Sequence, residues 1–392
     1  MLKAVIFDMD GVIIDSEPMH ARAAIKALKR YQIDITEEAL QEFIGSTTYH
    51  MCKKMVKDFN LQITPEELLA ANDECKAQML EIEGHIVVPY VIELIKDLYQ
   101  HGISLIIASS SPSHVIEEVM ESLQIKQYFQ GYVSGSMVQH PKPNPEIFFL
   151  AANKLKTSPS ECLIIEDSYN GVTAANAAGI VSVGFVNPNS GNQDLSKAYF
   201  LIEGFDEINY EFLNKVYQRA HVEPLTILTT DHFIIKELSP DDAKDLFEIC
   251  KNEEIKKYIH DFTDDYSIEK EKLEAYIKNI YPFYDYGLWG VYTLKNNHLI
   301  GRCGIELNQY DGEKIYELGY LLDPSLHGLG YAKEFVGAVI DYAFHKLNIN
   351  RIVAIIEQDN LKSQGLAKKL GFKKLSSCMR NQQPCFKYVL DK

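Results

Sequence analysis

Asp8-Met9-Asp10-Gly11 follows directly on the apolar run Ala4-Val5-Ile6-Phe7. Two carboxylates two residues apart, closing a strand apolar enough to be buried, stand where a parallel sheet presents its chemistry. The pattern reads as a phosphoryl-transfer site, although an acidic turn would account for these four residues equally well. Recurrence favours the first reading. Ile103 to Ala108 runs into Ser109-Ser110-Ser111, and the stretch after Gly135 delivers Lys142 within His140-Pro141-Lys142-Pro143-Asn144-Pro145-Glu146, whose prolines stiffen the loop. Cys162 to Ile165 ends at Glu166-Asp167-Ser168. Phosphoryl transfer to a carboxylate needs an ionised nucleophile, neutralised phosphoryl oxygens and a proton for the departing alkoxide, and these are the groups that could supply them.

A second set lies late in the chain. His327-Gly328-Leu329-Gly330-Tyr331-Ala332 falls between a strand and an amphipathic helix, where glycines let backbone N–H groups approach a pyrophosphate at a helix N-terminus. A helix-entry turn is the simpler explanation of G-x-G. Asn360-Leu361-Lys362-Ser363, opening the next helix, and Lys369-Leu370-Gly371-Phe372, closing it, add weight to the first. Glu317, in Tyr316-Glu317-Leu318-Gly319-Tyr320, falls on a strand, where a solvated carboxylate would be ordinary.

The elements that must position these groups follow from periodicity. From Lys3 to Val186, Ala4 to Phe7, Ile103 to Ala108, Cys162 to Ile165 and Val181 to Val186 read as buried parallel strands alternating with helical patterns, a doubly wound α/β domain. About Ser16 to Gly84, helical spacing such as Ala21-Arg22-Ala23-Ala24-Ile25-Lys26-Ala27-Leu28 predicts a helical cap over the carboxyl edge of that sheet. A helix over Tyr210 to Ala220 and Glu223-Pro224 lead to a strand at His232 to Leu238. We place domains at 1–217 and 231–392, with 218–230 as linker. Ser239-Pro240-Asp241-Asp242 marks a helix start, with serine as N-cap. Leu288 to Leu294, His298 to Leu307 and Lys314 to Leu322, joined by turns at Asn296-Asn297 and Tyr310-Asp311-Gly312, form an antiparallel meander. A helix Gly330 to Lys346, a strand Arg351 to Glu357, a helix Leu361 to Leu370 and a strand Phe386 to Leu390 complete the half.

The 392 residues carry a formal net charge of −16, which argues against nucleic acid or an anionic membrane as partner. Seven scattered cysteines, never spaced C-x-x-C, indicate neither a disulfide framework nor a zinc site, and fit a reducing cytoplasm. There is no charged-then-apolar leader and no apolar run near the ~18 residues of a membrane span, so a soluble, unprocessed, cytoplasmic protein is expected.

The four strand-end motifs, in this order, resemble the haloacid dehalogenase superfamily in its capped phosphatase and β-phosphoglucomutase-like branch, over about residues 1 to 217. The resemblance implies a magnesium-dependent phosphatase of a small phosphorylated metabolite, acting through an aspartyl phosphate. Asp8 is then the nucleophile, and Asp10 protonates the leaving oxygen and later deprotonates water. Ser109 and Lys142 donate to the phosphoryl oxygens. One Mg2+ is held by Asp8, the backbone carbonyl of Asp10 and Asp167, with Glu166 ligating or standing behind the ligands. His20, in Asp15-Ser16-Glu17-Pro18-Met19-His20, matches a histidine that some sugar-phosphate mutases carry, or is an ordinary helix residue. Mutases also carry a cap lysine before a glycine and an arginine soon after, whereas this chain reads Phe43-Ile44-Gly45-Ser46-Thr47-Thr48. A mutase must hold a bisphosphorylated intermediate, so the missing cations favour a phosphatase, with a mutase as the alternative.

With Phe233-Ile234-Ile235-Lys236-Glu237-Leu238-Ser239-Pro240-Asp241-Asp242-Ala243 at its entrance, the later set resembles the GNAT N-acetyltransferases, within them the ribosomal-protein acetyltransferase branch, over about residues 225 to 392. This implies an α+β domain with a mixed sheet that takes acetyl-CoA as cosubstrate. Leu329, Gly330, Tyr331 and Ala332 supply pyrophosphate-binding amides, Asn360 and Ser363 contact the pantetheine or phosphate end, and Glu317 is the base. His327 stands where the family loop usually begins with Arg or Gln, and the tyrosine many relatives use as acid matches Ala367. Together the halves imply a bifunctional enzyme for a metabolite bearing phosphate and amine, such as an amino-sugar phosphate. The alternatives are that the second half acetylates protein N-termini or only senses acetyl-CoA.

Overall fold

Ala4–Phe7 forms β1, and its four side chains are completely buried because the sheet is covered on both faces. The computed structural model, which describes residues 1–43 and 48–392, continues with α1 (Glu17–Lys29), α2 (Thr48–Asp58), α3 (Pro65–Glu83) and α4 (Val91–Gln100). Then come β2 (Ser104–Ser109), α5 (Ser113–Ser122), β3 (Tyr132–Ser134), α6 (Glu146–Leu155), β4 (Cys162–Glu166), α7 (Tyr169–Ala177), β5 (Val181–Phe185), β6 (Phe200–Ile202) and α8 (Tyr210–Ala220). These make the first of two units, Met1–Ala220.

All strands of its sheet are parallel, in the order β3-β2-β1-β4-β5-β6. Alternate residues feed two cores. Val5, Phe7, Leu105, Ile107, Leu163 and Ile165 face one side, and Ala4, Ile6, Ile106, Ala108 and Ile164 the other. α4 closes the first side with Val91, Leu94, Ile95 and Leu98, an i, i+3, i+4, i+7 stripe. Between β1 and α4, helices α1, α2 and α3 build a core of their own from Met19, Ala23, Leu28, Met55, Leu68 and Cys75. Thr64 and Glu67 cap α3 reciprocally, with Pro65 at its first position.

The second unit, His221–Lys392, begins with β7 (Thr226–Thr229), inside the segment expected as linker, and β8 (Phe233–Lys236). It continues with α9 (Ala243–Lys251), α10 (Glu253–Lys256), α11 (Tyr266–Tyr284), β9 (Leu288–Thr293), β10 (Leu299–Tyr310), β11 (Glu313–Leu322) and α12 (Tyr331–His345). β12 (Arg351–Glu357), α13 (Leu361–Lys369), β13 (Lys373–Arg380) and β14 (Gln383–Asp391) complete it. The sheet order is β13-β14-β12-β11-β10-β9-β8-β7. It is mixed, since β11 and β12 are parallel and their neighbouring pairs antiparallel. Neither β7 nor β13 was foreseen. Lys373–Arg380 holds mostly polar, exposed side chains with no apolar alternation, and its pairing with β14 defines it instead. Among the described residues no helix is long and apolar enough to cross a membrane.

Candidate active sites

The carboxyl ends of β2, β1 and β4 lie side by side, at the point where the strand order of the first sheet reverses. This brings Asp8, Ser109, Glu166 and Asp167 together from distant parts of the chain. Asp8 N bonds Ile165 O (3.0 Å), which fixes Asp8 against β4. Met9 O accepts from the amides of Ile13 and Ile14, and Gly11, at φ +81°, turns the chain so that its amide reaches Ile14 O (2.7 Å). A side chain at Gly11 would also strike the Asp167 carboxylate. The glycine is therefore required twice, for its backbone and for its missing Cβ.

Lys142 reaches in from the proline-rich loop with its side chain only 6% exposed. Its Nζ donates to Asp8 Oδ1 (2.6 Å), Glu166 Oε1 (2.5 Å) and Ala108 O (3.1 Å). Burial opposes its charge, but the two carboxylates outweigh burial and hold the ammonium above its usual value. Burial pushes Asp8 well above the usual carboxylate range despite Lys142. Burial, with Glu166 beside it, pushes Asp167 up to about 7. The centre thus holds three carboxylates against one ammonium, an excess that a divalent cation would neutralise. Asp8, Glu166 and Asp167 each offer an oxygen, all within 4.8 Å of one another, so the donor set fits a hard, oxygen-preferring ion. Both Glu166 oxygens are engaged, Oε1 by Lys142 and Oε2 by Ser168 N and Oγ, whereas Lys142 takes only one oxygen of Asp8.

Asp10 stands outside this trio. Its Oδ2 accepts from Ser111 Oγ (2.7 Å) and more weakly from Ser109 Oγ (3.3 Å). Ser109 is fully buried and also accepts from Ser111 N. Ser111, Ser190, which donates to Asp167 Oδ2 (2.5 Å), and Asn187, which donates to Gly11 O (2.9 Å), were not singled out from sequence. Only their position at strand ends could have flagged them.

A cavity of about 550 Å3 opens from Asp10 to the cap helices. His20 lines it on α1, and Lys76 Nζ on α3 donates to His20 Nε2 (3.2 Å). Burial and that ammonium push His20 down to about 4, so it is a neutral acceptor. Lys76 thus places a cap cation at the cavity, away from the Phe43-Ile44-Gly45-Ser46-Thr47-Thr48 stretch where the mutase lysine and arginine are missing, and whose residues 44–47 lie outside the described residues.

The tight fit behind the trio gives a prediction. Gly171 on α7 has no positive φ, and helix-interior Gly→Ala usually gains about 1 kcal/mol. A Cβ there would stand 1.9 Å from Glu166 Cδ. Gly171→Ala should instead lose roughly 1–3 kcal/mol through overpacking. A raised melting temperature would contradict the packing.

In the second unit, Gly328 and Gly330 both adopt φ +83° and swing the chain into α12. Lys333 N and Glu334 N are the first amides to bond Gly330 O, so the N–H groups of Leu329 to Ala332 lie in the stretch that a helix leaves without acceptors. His327 Nε2 bonds Leu322 O (2.9 Å) and its Nδ1 faces Lys362 Nζ (3.2 Å), which brings a cation beside the loop from α13. Asn360 Oδ1 accepts from Ser363 N (3.0 Å) as the N-cap of α13, which sets both residues at the start of that helix. Ser363 lies beside the hydroxyl of Tyr320, whose phenol burial pushes up to about 12. Ala367 is buried in the core.

Glu317 is buried, receives Asn308 Nδ2 (2.9 Å) and pairs with Arg380 of β13. Glu306 stands directly opposite it across β10 and β11, which puts both carboxylates on one face. Tyr276 Oη of α11 donates to Glu306 Oε1 (2.9 Å). β11 and β12 register at the single pair Glu317–Val353. Glu306, Tyr276 and Arg380 carry no motif and were missed.

Comparison with known proteins agrees with both halves. Residues 5–185 match the family of haloacid dehalogenase-like hydrolases, and residues 232–373 the acetyltransferase (GNAT) domain. A phosphorylated carbohydrates phosphatase of Thermotoga maritima is 30% identical over 180 residues, 46% of this chain and 82% of that protein. A fructose-1-phosphate phosphatase of Escherichia coli is 29% identical over 179 residues, 46% and 94% of the two chains. The crystal structure of β-phosphoglucomutase from Clostridium difficile superposes with a TM-score of 0.47 at 24% identity, covering 57% of this chain and all of that one.

Proposed function

Because the N-terminal half of this chain belongs to the haloacid dehalogenase-like hydrolases and its C-terminal half is a GNAT acetyltransferase domain, we propose a bifunctional enzyme that hydrolyses a small phosphate monoester and acetylates an amine. The observation that carries the first activity is Asp8, buried at the end of β1 with one oxygen held by Lys142 and Asp167 beside it.

Asp8 attacks phosphorus in line, forming an aspartyl phosphate as the ester oxygen departs with a proton from Asp10. Asp10 then takes a proton from the water that attacks the aspartyl phosphate, releasing phosphate and restoring Asp8. Ser111 and Ser109 hold one Asp10 oxygen, which leaves the other to face the cavity. Lys142 keeps Asp8 oriented and offers an ammonium to the phosphoryl oxygens, while Ser109 plays the smaller part. Mg2+ held by Asp8 and Asp167, with Glu166 behind them, would neutralise charge between the anionic nucleophile and the anionic phosphate. A mutase reading finds a described cap cation in Lys76, but that ammonium is engaged with His20 and outnumbered by carboxylates. We favour the phosphatase.

In the second unit the amides at the start of α12 suit the pyrophosphate of acetyl-CoA. Glu317 accepts the proton of the acceptor ammonium, directly or through water, and Glu306 adds a second negative charge on that face. The neutral amine then attacks the thioester carbonyl, the C–S bond breaks, the new amide nitrogen loses its extra proton to solvent, and the CoA thiolate takes one from solvent or Tyr320.

Glu317→Gln tests this half. It should reduce acetyl transfer by roughly 10²-fold or more. Phosphate-ester hydrolysis should stay intact, and Arg380, already well exposed, remains solvated. Transfer undiminished in the variant would remove Glu317 as the base, and no acetyl transfer by wild type to amines or peptides would leave a module that only binds acetyl-CoA.

A further inference from the structure

We propose that Cys378 and Cys385 are a modification site, which a small disulfide such as oxidised glutathione closes into a reversible cross-strand bond that draws Arg380 off Glu317. The effect on transfer rests on reading the second unit as an acetyltransferase. The closure itself does not.

β13 and β14 are joined by Asn381-Gln382, whose φ values of 49° and 65° make a two-residue hairpin turn that closes on the pair Arg380–Gln383. Two pairs further from the turn, Cys378 and Cys385 stand directly opposite each other, so their side chains share a face. Pro384 turns its carbonyl the other way, to Gln358 N (3.0 Å) just past β12. The polar groups of the next residue, Cys385, therefore face β13, and the cysteines form a hydrogen-bonded pair with Cα atoms about 5.5 Å apart. Disulfides most often span about 5.5–6 Å between Cα atoms. Both thiols are free.

The same pairing makes the bond reversible. Cβ atoms of a hydrogen-bonded pair lie at the wide end of about 4.5–5.5 Å, whereas a disulfide needs about 3.8 Å. Closing must therefore pull the hairpin strands together, and a disulfide strained in this way is readily reduced again. Access sets the order of events. β13 is an edge strand, and Cys378 on it is half-buried while the other six cysteines are buried. Burial also pushes the Cys385 thiol up, so the Cys378 thiolate attacks first, displacing one glutathione thiolate and keeping the other glutathione as a mixed disulfide. Cys385 then gives up its proton, attacks the Cys378 sulfur and expels the second glutathione as a thiol. Two cysteine thiols are oxidised and one glutathione disulfide is reduced to two thiols. Arg380 stands two residues from Cys378 on the same face of β13, with its guanidinium paired to Glu317. A displacement of about 1 Å at a catalytic group can cost up to about 10²-fold in rate.

The test incubates the full chain with oxidised glutathione, blocks remaining thiols with iodoacetamide and digests with trypsin without reduction. Cleavage after Lys374, Arg380 and Lys387 puts the two cysteines in separate peptides, 375–380 and 381–387. Mass spectrometry should find these joined, two hydrogens lighter than their sum, and apart again after dithiothreitol. In Cys385→Ser glutathione should stay on Cys378, and in Cys378→Ser Cys385 should take up none. Acetyl transfer by the oxidised wild type should fall about tenfold or more, recover with dithiothreitol and hold steady in Cys378→Ser, while hydrolysis of p-nitrophenyl phosphate is unchanged throughout. Both peptides recovered alkylated, or glutathione retained on Cys378 of the wild type, would overturn the pair. Full linkage with undiminished transfer would overturn the coupling to Glu317. Linkage in a wild type that transfers no acetyl group would bring down the acetyltransferase reading and that coupling, and leave the disulfide supported.

Discussion

Asp8→Asn should abolish phosphate-ester hydrolysis, by on the order of 10⁴-fold or more, while acetyl transfer continues at the wild-type rate. The amide keeps the shape of the carboxylate but is no nucleophile towards phosphorus, and it removes one of the three negative charges that make the centre fit a divalent ion. The fold should tolerate the change. Burial already disfavours the Asp8 charge, so its neutral replacement is no worse off in the core, although Lys142 then keeps only Glu166 as carboxylate partner. Steady-state hydrolysis and acetylation, measured on the same preparation, check this. Hydrolysis surviving within tenfold of wild type would remove Asp8 as the nucleophile.

Lys142→Met should have the second largest effect, because the lysine serves both chemistry and folding. Its ammonium is the only cation hydrogen-bonded to Asp8 and Glu166 among the described residues, and all three side chains are almost fully buried. Removing one partner of such a group leaves uncompensated buried charge, which costs about 3–5 kcal/mol. The methionine fills the channel and isolates the electrostatic loss from a cavity. Hydrolysis should fall about 10³-fold. In metal-free buffer the melting transition of the first unit should drop, and excess Mg2+ should narrow the gap by binding only the folded carboxylate cluster. A transition unmoved in metal-free buffer would show that Lys142 is not what stabilises the cluster.

The first site was legible because its chemistry is tied to strand ends. A buried parallel strand announces itself as a short apolar run, and the residue after it must emerge at the carboxyl edge of the sheet, so Asp8, Ser109 and Glu166-Asp167 could be placed from local pattern. Helices Tyr210–Ala220 and Leu361–Lys369 and strand Arg351–Glu357 were readable for the same reason. What failed was the reading of residues whose partners are remote. β13 exists because β14 pairs with it, and β7 because β8 does, whatever their own propensities.

The sequence by itself determined the two chemistries: a pair of carboxylates after a buried strand, and a glycine turn into a helix. Both are local, written in residues adjacent along the chain. Only the tertiary structure decided what surrounds them. Lys76, Asn72 and Asp73 come to Asp10 from a cap helix more than sixty residues away, and Glu306, Tyr276 and Arg380 reach Glu317 by cross-strand register and helix packing. Which side chains share one cavity is a property of packing, for which no spacing along the chain is a substitute.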